Sequence, residues 1–235
     1  MTLNSEHAQE LARIEAEYAR RAQAVPPDYY APYRPVNLLR RQSQDRALCG
    51  LLDRHGLLPL AGKQIVELGC GKGDWFASFQ AFGAERSHLH GIDLNETSVQ
   101  ACRGRYPDTD VRQGDACSTP WPAGSFDIVF QSTVFTSILD NAMRQNLARE
   151  MVRLMRRGGC VVSYDFAFNN PANPNVRKLT LRDLRQLFPG FHVDPARVTL
   201  APPLARAIAP RSWGAATLLE SLRVFNTHVF ALLWR

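Results

Sequence analysis

The sequence lacks the features that mark several large classes of protein. No stretch reaches the roughly 18 consecutive apolar residues of a membrane-spanning helix. Residues 2–21 are polar and charged, without the basic and then apolar pattern of a secretory signal. The 5 cysteines are scattered and form no CxxC pair, which gives no support to a disulfide framework or a metal site. We therefore expect a protein of the cytoplasm that holds no metal and has no membrane span.

A nucleic-acid-binding motif is also missing, although the chain is basic. The formal net charge is +6, and residues 153–235 carry 12 Arg and Lys against 4 Asp and Glu. A basic face can attract nucleic acid, an anionic substrate or a membrane surface, but a solvated arginine-rich surface is the commoner explanation. No basic run is interleaved with aromatic residues, so nucleic acid is disfavoured as a partner.

The first 45 residues differ in pattern from the rest. Apolar residues at helical spacing predict a helix over residues 5–24, which prolines 26 and 27 would end. Residues 28–37 are rich in tyrosine and proline and predict an ordered loop. We therefore expect an N-terminal helix and lid segment over 1–45, in front of a main domain over 46–235.

The main domain alternates short apolar runs with amphipathic segments, which is typical of a parallel sheet covered by helices. Strands are predicted at 64–68, 88–94, 110–113, 126–131, 160–166, 192–200 and 227–233. Helices are predicted at 44–55, 74–82, 96–106, 141–155, 181–187 and 215–222. The expected fold class is α/β: a doubly wound, mostly parallel seven-stranded sheet with a late antiparallel pair and an N-terminal helical cap.

The most informative motif is a glycine-rich turn between a strand and a helix, I-V-E-L-G-C-G-K-G-D over residues 65–74. Three alternating glycines let a ligand approach the backbone closely. A dinucleotide fingerprint reads GxGxxG, whereas this turn reads GxGxG and is followed by Asp74, which would repel a pyrophosphate. With Glu67 before the glycines, the turn suits a cofactor that has a cationic end and no phosphate. An NAD-dependent dehydrogenase is therefore disfavoured.

Residues 63–168 resemble the class I S-adenosylmethionine (SAM)-dependent methyltransferases of Rossmann-like fold, most closely the small-molecule subgroup with its type 11-like members. Besides the glycine turn, the resemblance rests on G-I-D-L at 91–94, G-D-A at 114–116, F-D at 126–127 and G-G at 158–159. It implies that the cofactor is SAM and that the product is S-adenosylhomocysteine. The resemblance implies a set of cofactor-binding residues: Glu67, Gly69, Gly71, Gly73, Asp93, Leu94, Asp115, Ala116 and Gln131.

Within that set the resemblance implies particular roles. The glycine turn would lie against the methionine part, and Asp93 would accept hydrogen bonds from the ribose hydroxyls. Leu94 would pack on the adenine, whose amino group would face Asp115 while the Ala116 N–H donates to the ring. Arg41, beside Arg40, could bind the SAM carboxylate or an anionic acceptor, or could simply be solvated.

Catalytic candidates are fewer, because methyl transfer from a sulfonium is an in-line displacement that depends mostly on alignment and exclusion of water. A hydroxyl acceptor also needs a base. Asp165 and His228 are candidates for that role, and Tyr33 belongs to an aromatic loop that could close over the cofactor. The histidine that many small-molecule members carry after the fourth strand is absent from V-F-T-S at 134–137. The stretch 168–215 is expected to form part of an acceptor-side lid.

We therefore expect methyl transfer to a small-molecule acceptor, most simply O-methylation of a secondary metabolite or a sugar. N- or C-methylation of a small molecule, methylation of nucleic acid or protein, and a non-catalytic SAM-binding protein remain alternatives. The sequence leaves the acceptor and the oligomeric state open, with a homodimer as one option.

Overall fold

The fold is an α/β sheet flanked by helices. A computed structural model describes residues 2–26, 28–169 and 173–235. The strands are β1 Ile65–Leu68, β2 Leu89–Asp93, β3 Asp110–Gln113, β4 Phe126–Ser132, β5 Met155–Phe166, β6 His192–Leu200 and β7 Asn226–Trp234. The helices are α1 Thr2–Ala24, α2 Pro35–Arg54, α3 Asp74–Ala81, α4 Glu96–Arg105, α5 Val134–Ser137, α6 Asn141–Leu154, α7 Leu181–Leu187, α8 Pro202–Ile208 and α9 Trp213–Ser221, with a 3₁₀ turn at Arg86–His88.

The strand order is β3-β2-β1-β4-β5-β7-β6. Strands β1 to β5 pair in parallel, and β7 is antiparallel to both of its neighbours. This confirms the predicted mostly parallel seven-stranded sheet with a late antiparallel pair. The chain reverses its direction of travel across the sheet between β1 and β4, so the carboxyl ends of these strands open a crevice where α/β proteins bind ligands.

Two apolar layers hold the helices against the sheet. One packs Leu48 of α2 and Phe76 of α3 against Phe130, Tyr164 and Phe230 of the strands, all of them buried. The other packs α6 and α7 against the opposite face. Because successive strand residues point to opposite faces, strands buried on both sides read as continuous apolar runs, which is why the sequence predicted them.

Element boundaries differ from the prediction in the segments beside the sheet and in β5, which begins at Met155, five residues before its predicted start at 160. Helix α2 begins at Pro35, nine residues before the predicted start at 44, because proline is well tolerated in the first turn of a helix. It therefore runs across residue 45, where the two predicted segments meet. Helix α8 was not predicted, and its two prolines also lie in its first turn. Pro27 and residues 170–172 of the predicted lid lie outside the described residues.

Helix α1 ends at Ala24, close to its predicted end. In the part of the chain that the structure describes, no helix combines the length and the apolar character needed to span a membrane.

Candidate cofactor and acceptor site

A cavity of about 690 Å³, including its open mouth, lies at the carboxyl ends of β1, β2 and β3. Five predicted cofactor residues line it: Gly69, Asp93, Leu94, Asp115 and Ala116. The prediction missed the walls contributed by α1 (Ile14, Glu15, Tyr18) and by the segment from Ser132 to Met143. The structure thus brings half of the predicted cofactor set into one cavity.

The glycine turn closes the bottom of this cavity. Gly69 has φ 73°, and the amides of Gly69 and Cys70 both donate to the Ile92 carbonyl, at 2.8 and 3.0 Å. A Cβ atom at residue 69 would lie 2.4 Å from Cγ2 of Val134. Only glycine therefore fits here, since both the backbone conformation and the space exclude a side chain.

Asp93 links the glycine turn to the end of β2. Its Oδ2 accepts from the Gly71 amide at 2.8 Å, and its Oδ1 accepts from the Asn95 amide at 2.9 Å. Burial raises the pKa of this carboxyl, against the two amide hydrogen bonds that lower it. Each oxygen can accept further hydrogen bonds, so the carboxylate can hold a diol that enters the cavity.

Asp115 lies at the next corner of the cavity, at the end of β3. Its Oδ1 accepts from the Cys117 amide at 2.8 Å, and its Oδ2 lies 2.6 Å from Nε2 of His7 in α1. His7, Asp115 and Cys117 place potential metal ligand atoms within 4.8 Å of one another, although the His7–Asp115 hydrogen bond already uses two of them. The expectation that no metal is bound stays a prediction.

Glu67 lies beneath the turn rather than in the cavity wall. It is 2% exposed, and its Oε2 has no hydrogen-bond partner among the described residues. Burial, and then the negative charge of Asp74, raise the pKa of its carboxyl well above the ordinary value. A cation bound at the turn would provide a partner for this Oε2 atom.

Arg41 and Gln131 do not line the cavity. Arg41 donates to the Asp74 carbonyl and to Ser78, and its guanidinium lies 4.9 Å from the Trp75 ring centroid. These contacts tie α2 to the start of α3. Gly71 and Gly73 likewise shape the turn without lining the cavity. Gly73 is the N-cap of α3 and has a left-handed backbone conformation.

Helix α1 forms one wall of the cavity through contacts that are distant in sequence. Glu10 accepts from the Leu139 amide at 2.5 Å, and Arg13 donates to the Ser137 carbonyl at 2.6 Å. Ile14 is buried in the same apolar layer as α6. The amphipathic pattern predicted the helix, but nothing in the pattern indicated which surface it would cover.

Asp165 is held in a buried network beside α5. Its Oδ2 accepts from Gln131 at 2.5 Å and from Ser163 at 2.7 Å, and its Oδ1 accepts from the Thr136 amide at 3.2 Å. Gln131 in turn accepts from the Val134 amide at 2.9 Å. Burial raises the pKa of Asp165 to about 6, although these hydrogen bonds lower it. The contacts indicate that Asp165 fixes the turn between β4 and α5.

This network predicts a dependence of stability on pH. The folded state keeps a proton on Asp165 up to about pH 6, whereas the unfolded chain releases it near the ordinary value of 3.8. The contribution of Asp165 to stability therefore falls as pH rises through this window. Between pH 4 and pH 7, the free energy of unfolding of the wild type should fall by up to about 3 kcal/mol more than that of Asp165→Asn. Urea denaturation at both pH values measures it, and a difference that stays constant with pH would contradict it.

His228 lies on the other face of the sheet. Its ring stacks on Tyr164 at 4.9 Å between centroids and packs against Phe166 at 4.2 Å. Burial, and then the positive charge of Arg40, lower the pKa of His228 to about 3, so the imidazole is neutral at pH 7. Tyr33 lies in the turn before α2 and is 73% exposed. The structure therefore does not bring the three predicted catalytic residues together.

With this geometry in place, comparison with known proteins identifies the domain. Residues 65–159 match the sequence family described as a methyltransferase domain. A probable S-adenosylmethionine-dependent methyltransferase of Mycolicibacterium smegmatis is 31% identical over 144 residues, 57% of this chain and 54% of the relative. A phthiotriol/phenolphthiotriol dimycocerosates methyltransferase of Mycobacterium tuberculosis is 35% identical over 130 residues, 54% of this chain and 47% of the relative.

Among solved structures, the [4+2]-cyclase SpnF superposes with a TM-score of 0.60 at 18% identity, covering 83% of this chain and 82% of that one. At this identity the likeness concerns the fold alone. The chain spans about half the length of the curated relatives that it matches. Residues 65–159 thus form a domain that matches the methyltransferase domain family, and the curated relatives that match it include proteins named as SAM-dependent methyltransferases. For the matched domain, the predicted resemblance and the predicted cofactor SAM are confirmed, and the small-molecule subgroup stays a prediction.

Proposed function

We propose that this protein transfers the methyl group of SAM to a hydroxyl oxygen of a small-molecule acceptor. The observation that carries the proposal is the convergence of Gly69, Asp93 and Asp115 on one cavity at the carboxyl edge of a parallel sheet. Two carboxylates and a glycine turn at these positions match the ribose, the adenine amino group and the methionine part of SAM.

In this proposal each part of the cofactor meets a carboxyl group that can still accept a hydrogen bond or balance a positive charge. The ammonium and sulfonium charges approach the turn above Glu67, whose buried Oε2 has no partner among the described residues. The ribose hydroxyls donate to Asp93. The adenine amino group takes the place of His7 on Asp115, or shares this carboxylate with it. The transferred methyl then faces the ends of β4 and β5.

The acceptor would enter on the side of Tyr164, Phe166 and His228, where aromatic rings supply an apolar floor. The same side is covered by α2 and α8, whose Leu39 and Ala205 belong to one buried apolar cluster. Alignment in a site closed to water would supply most of the acceleration. The relative from Mycobacterium tuberculosis is named for compounds that are themselves named as triols, which supports a hydroxyl acceptor.

N- or C-methylation is the second candidate, because free bases are scarce at this edge. Both oxygens of Asp165 already accept hydrogen bonds, and a histidine with a pKa of about 3 is a weak proton acceptor. An acceptor that loses no proton in the transition state would need neither residue. This candidate predicts that His228→Gln leaves turnover of hydroxyl and amine acceptors equally unaffected, and a loss confined to hydroxyl acceptors would instead identify His228 as the base of O-methylation.

The experiment that tests the proposed function has two stages. Calorimetric titration with S-adenosylhomocysteine, beside NAD, establishes the cofactor. Incubation of the protein with SAM and a panel of hydroxyl, amine and carbon acceptors then measures formation of S-adenosylhomocysteine. Cofactor binding without turnover of any acceptor would favour a non-catalytic SAM-binding protein, and binding of NAD alone would overturn the assignment.

A further inference from the structure

The segment between β6 and β7 exposes an unusual amount of apolar side chain. Five of its large apolar residues form what we call the α9 patch: Trp213, Leu218, Leu222, Val224 and Phe225, which are 37–65% exposed. Leu218 and Leu222 lie one turn apart, on the side of the helix away from Ala216 and Glu220, which are buried. Helix α9 therefore presents Trp213 and Leu218 to solvent, while Leu219 packs against the buried cluster that contains Ala216.

Positive charge accompanies this patch. Residues 195–225 contain 4 arginines (Arg197, Arg206, Arg211 and Arg223) and a single acidic residue, Glu220. Glu220 is 7% exposed and pairs with Arg46 at 2.9 Å. No exposed carboxylate of this segment offsets the arginines. The combination of exposed apolar groups with arginine side chains is typical of surfaces that lie in the interfacial region of a membrane.

Tyrosines extend the same surface. The guanidinium of Arg206 in α8 lies 5.9 Å from the ring centroid of Tyr29, and Tyr29 packs edge-on against Tyr30 at 4.9 Å. Tyr29, Tyr30 and Tyr33 are 39–73% exposed. Tyrosine and tryptophan favour the headgroup level of a bilayer, because their rings are apolar and their polar atoms stay hydrated.

The topology places this surface beside the proposed acceptor entrance. Leu200 at the end of β6 pairs with Asn226 at the start of β7, and Phe166 at the end of β5 pairs with His228. Residues 201–225 therefore project from the carboxyl edge of the sheet, the edge that carries the cofactor cavity.

We propose that α8, α9 and the Tyr29–Tyr33 turn dock the protein on an anionic lipid bilayer. The apolar side chains would enter the headgroup region while the arginines meet lipid phosphates. A second copy of the chain fits the surface less well, because a twofold contact through the α9 patch would set the arginines of residues 195–225 against one another, and this segment has no exposed carboxylate to pair with them. The proposal goes beyond methyl transfer, and it can be tested without any turnover.

Vesicle flotation of the full chain tests this docking. The protein should float with phosphatidylcholine vesicles that contain phosphatidylglycerol and stay behind with phosphatidylcholine alone. Raising the salt concentration from about 50 to about 500 mM should weaken the binding, because exposed charges are then screened. The double variant Leu222→Glu/Val224→Glu should bind at least about tenfold more weakly, because it replaces apolar contact by repulsion.

A matched control changes the net charge by the same amount as the double variant, but on a helix that packs against the opposite face of the sheet. Gln145→Glu/Arg149→Gln alters two exposed residues of α6 by the same two charge units and should leave flotation unchanged. Titration with S-adenosylhomocysteine checks that each variant is folded. If the wild type itself does not bind S-adenosylhomocysteine, the proposed function is wrong, but the flotation result still decides the docking proposal. Absence of binding to anionic vesicles, or equal loss in both variants, overturns the docking proposal. A dimer that the patch variant converts to a monomer, without vesicle binding, assigns the surface to a second copy.

Discussion

Replacing Asp93 by alanine is expected to weaken binding of S-adenosylhomocysteine by roughly 5- to 150-fold, the equivalent of about 1–3 kcal/mol for hydrogen-bonding groups left without a partner. Two losses combine in this variant. The ribose hydroxyls would lose their acceptor, and the Gly71 amide, which donates to Oδ2 at 2.8 Å, would lose its anchor. Isothermal titration calorimetry measures the affinity directly.

Asp93→Asn separates these two losses. The asparagine keeps one side-chain oxygen, which can accept from the Gly71 amide, but it can no longer accept from both hydroxyls with two oxygens. Its affinity should therefore fall between those of the wild type and Asp93→Ala. An unchanged affinity in the alanine variant would show that the cofactor does not reach Asp93, and the proposed orientation in the cavity would be wrong.

Gly69→Ala should have the larger effect, because it disturbs both the fold and the cavity. A side chain at φ 73° costs about 1–2 kcal/mol, and its Cβ would lie 2.4 Å from Cγ2 of Val134. Val134 cannot move away freely, since its amide donates to the buried Gln131. We expect the free energy of unfolding to fall by roughly 2–5 kcal/mol and binding of S-adenosylhomocysteine to be lost.

Two variants separate the clash from the backbone strain. Gly56 has φ 63° with nothing within 4 Å of its Cβ position, so Gly56→Ala should show the strain alone. Gly69→Ala/Val134→Ala removes the clashing methyl groups and should recover part of the lost stability. Urea denaturation of the set measures both terms. If Gly69→Ala were no less stable than Gly56→Ala, the close approach of the turn to α5 would be wrong.

The sequence predicted the central sheet well because local and global signals agree there. Apolar runs such as residues 126–131 must be buried on both faces, and the glycines at 69, 71 and 73 can adopt the positive φ angles that this tight turn requires. The place of Asp93 in the predicted cofactor set followed from the resemblance, and the structure adds that Asp93 is anchored to this turn by the hydrogen bond from Gly71.

The parts that could not be predicted depend on contacts between distant residues. His7 meets Asp115 across 108 positions, and Arg13 meets the Ser137 carbonyl across 124. Helical periodicity gives the face of α1 that is buried but not the surface that buries it. The predicted catalytic residues were not brought together for a similar reason. Neighbouring positions on β5 point to opposite faces of the sheet, which separates Asp165 from the side chains around His228.

The wall that α1 contributes has a consequence for kinetics. A cofactor seated behind Ile14 and Tyr18 would be retained in part by this helix, which is anchored by hydrogen bonds at His7, Glu10 and Arg13 and by the buried Ile14. The residence time of the bound nucleoside would then depend on how readily this helix moves, as well as on the contacts within the cavity.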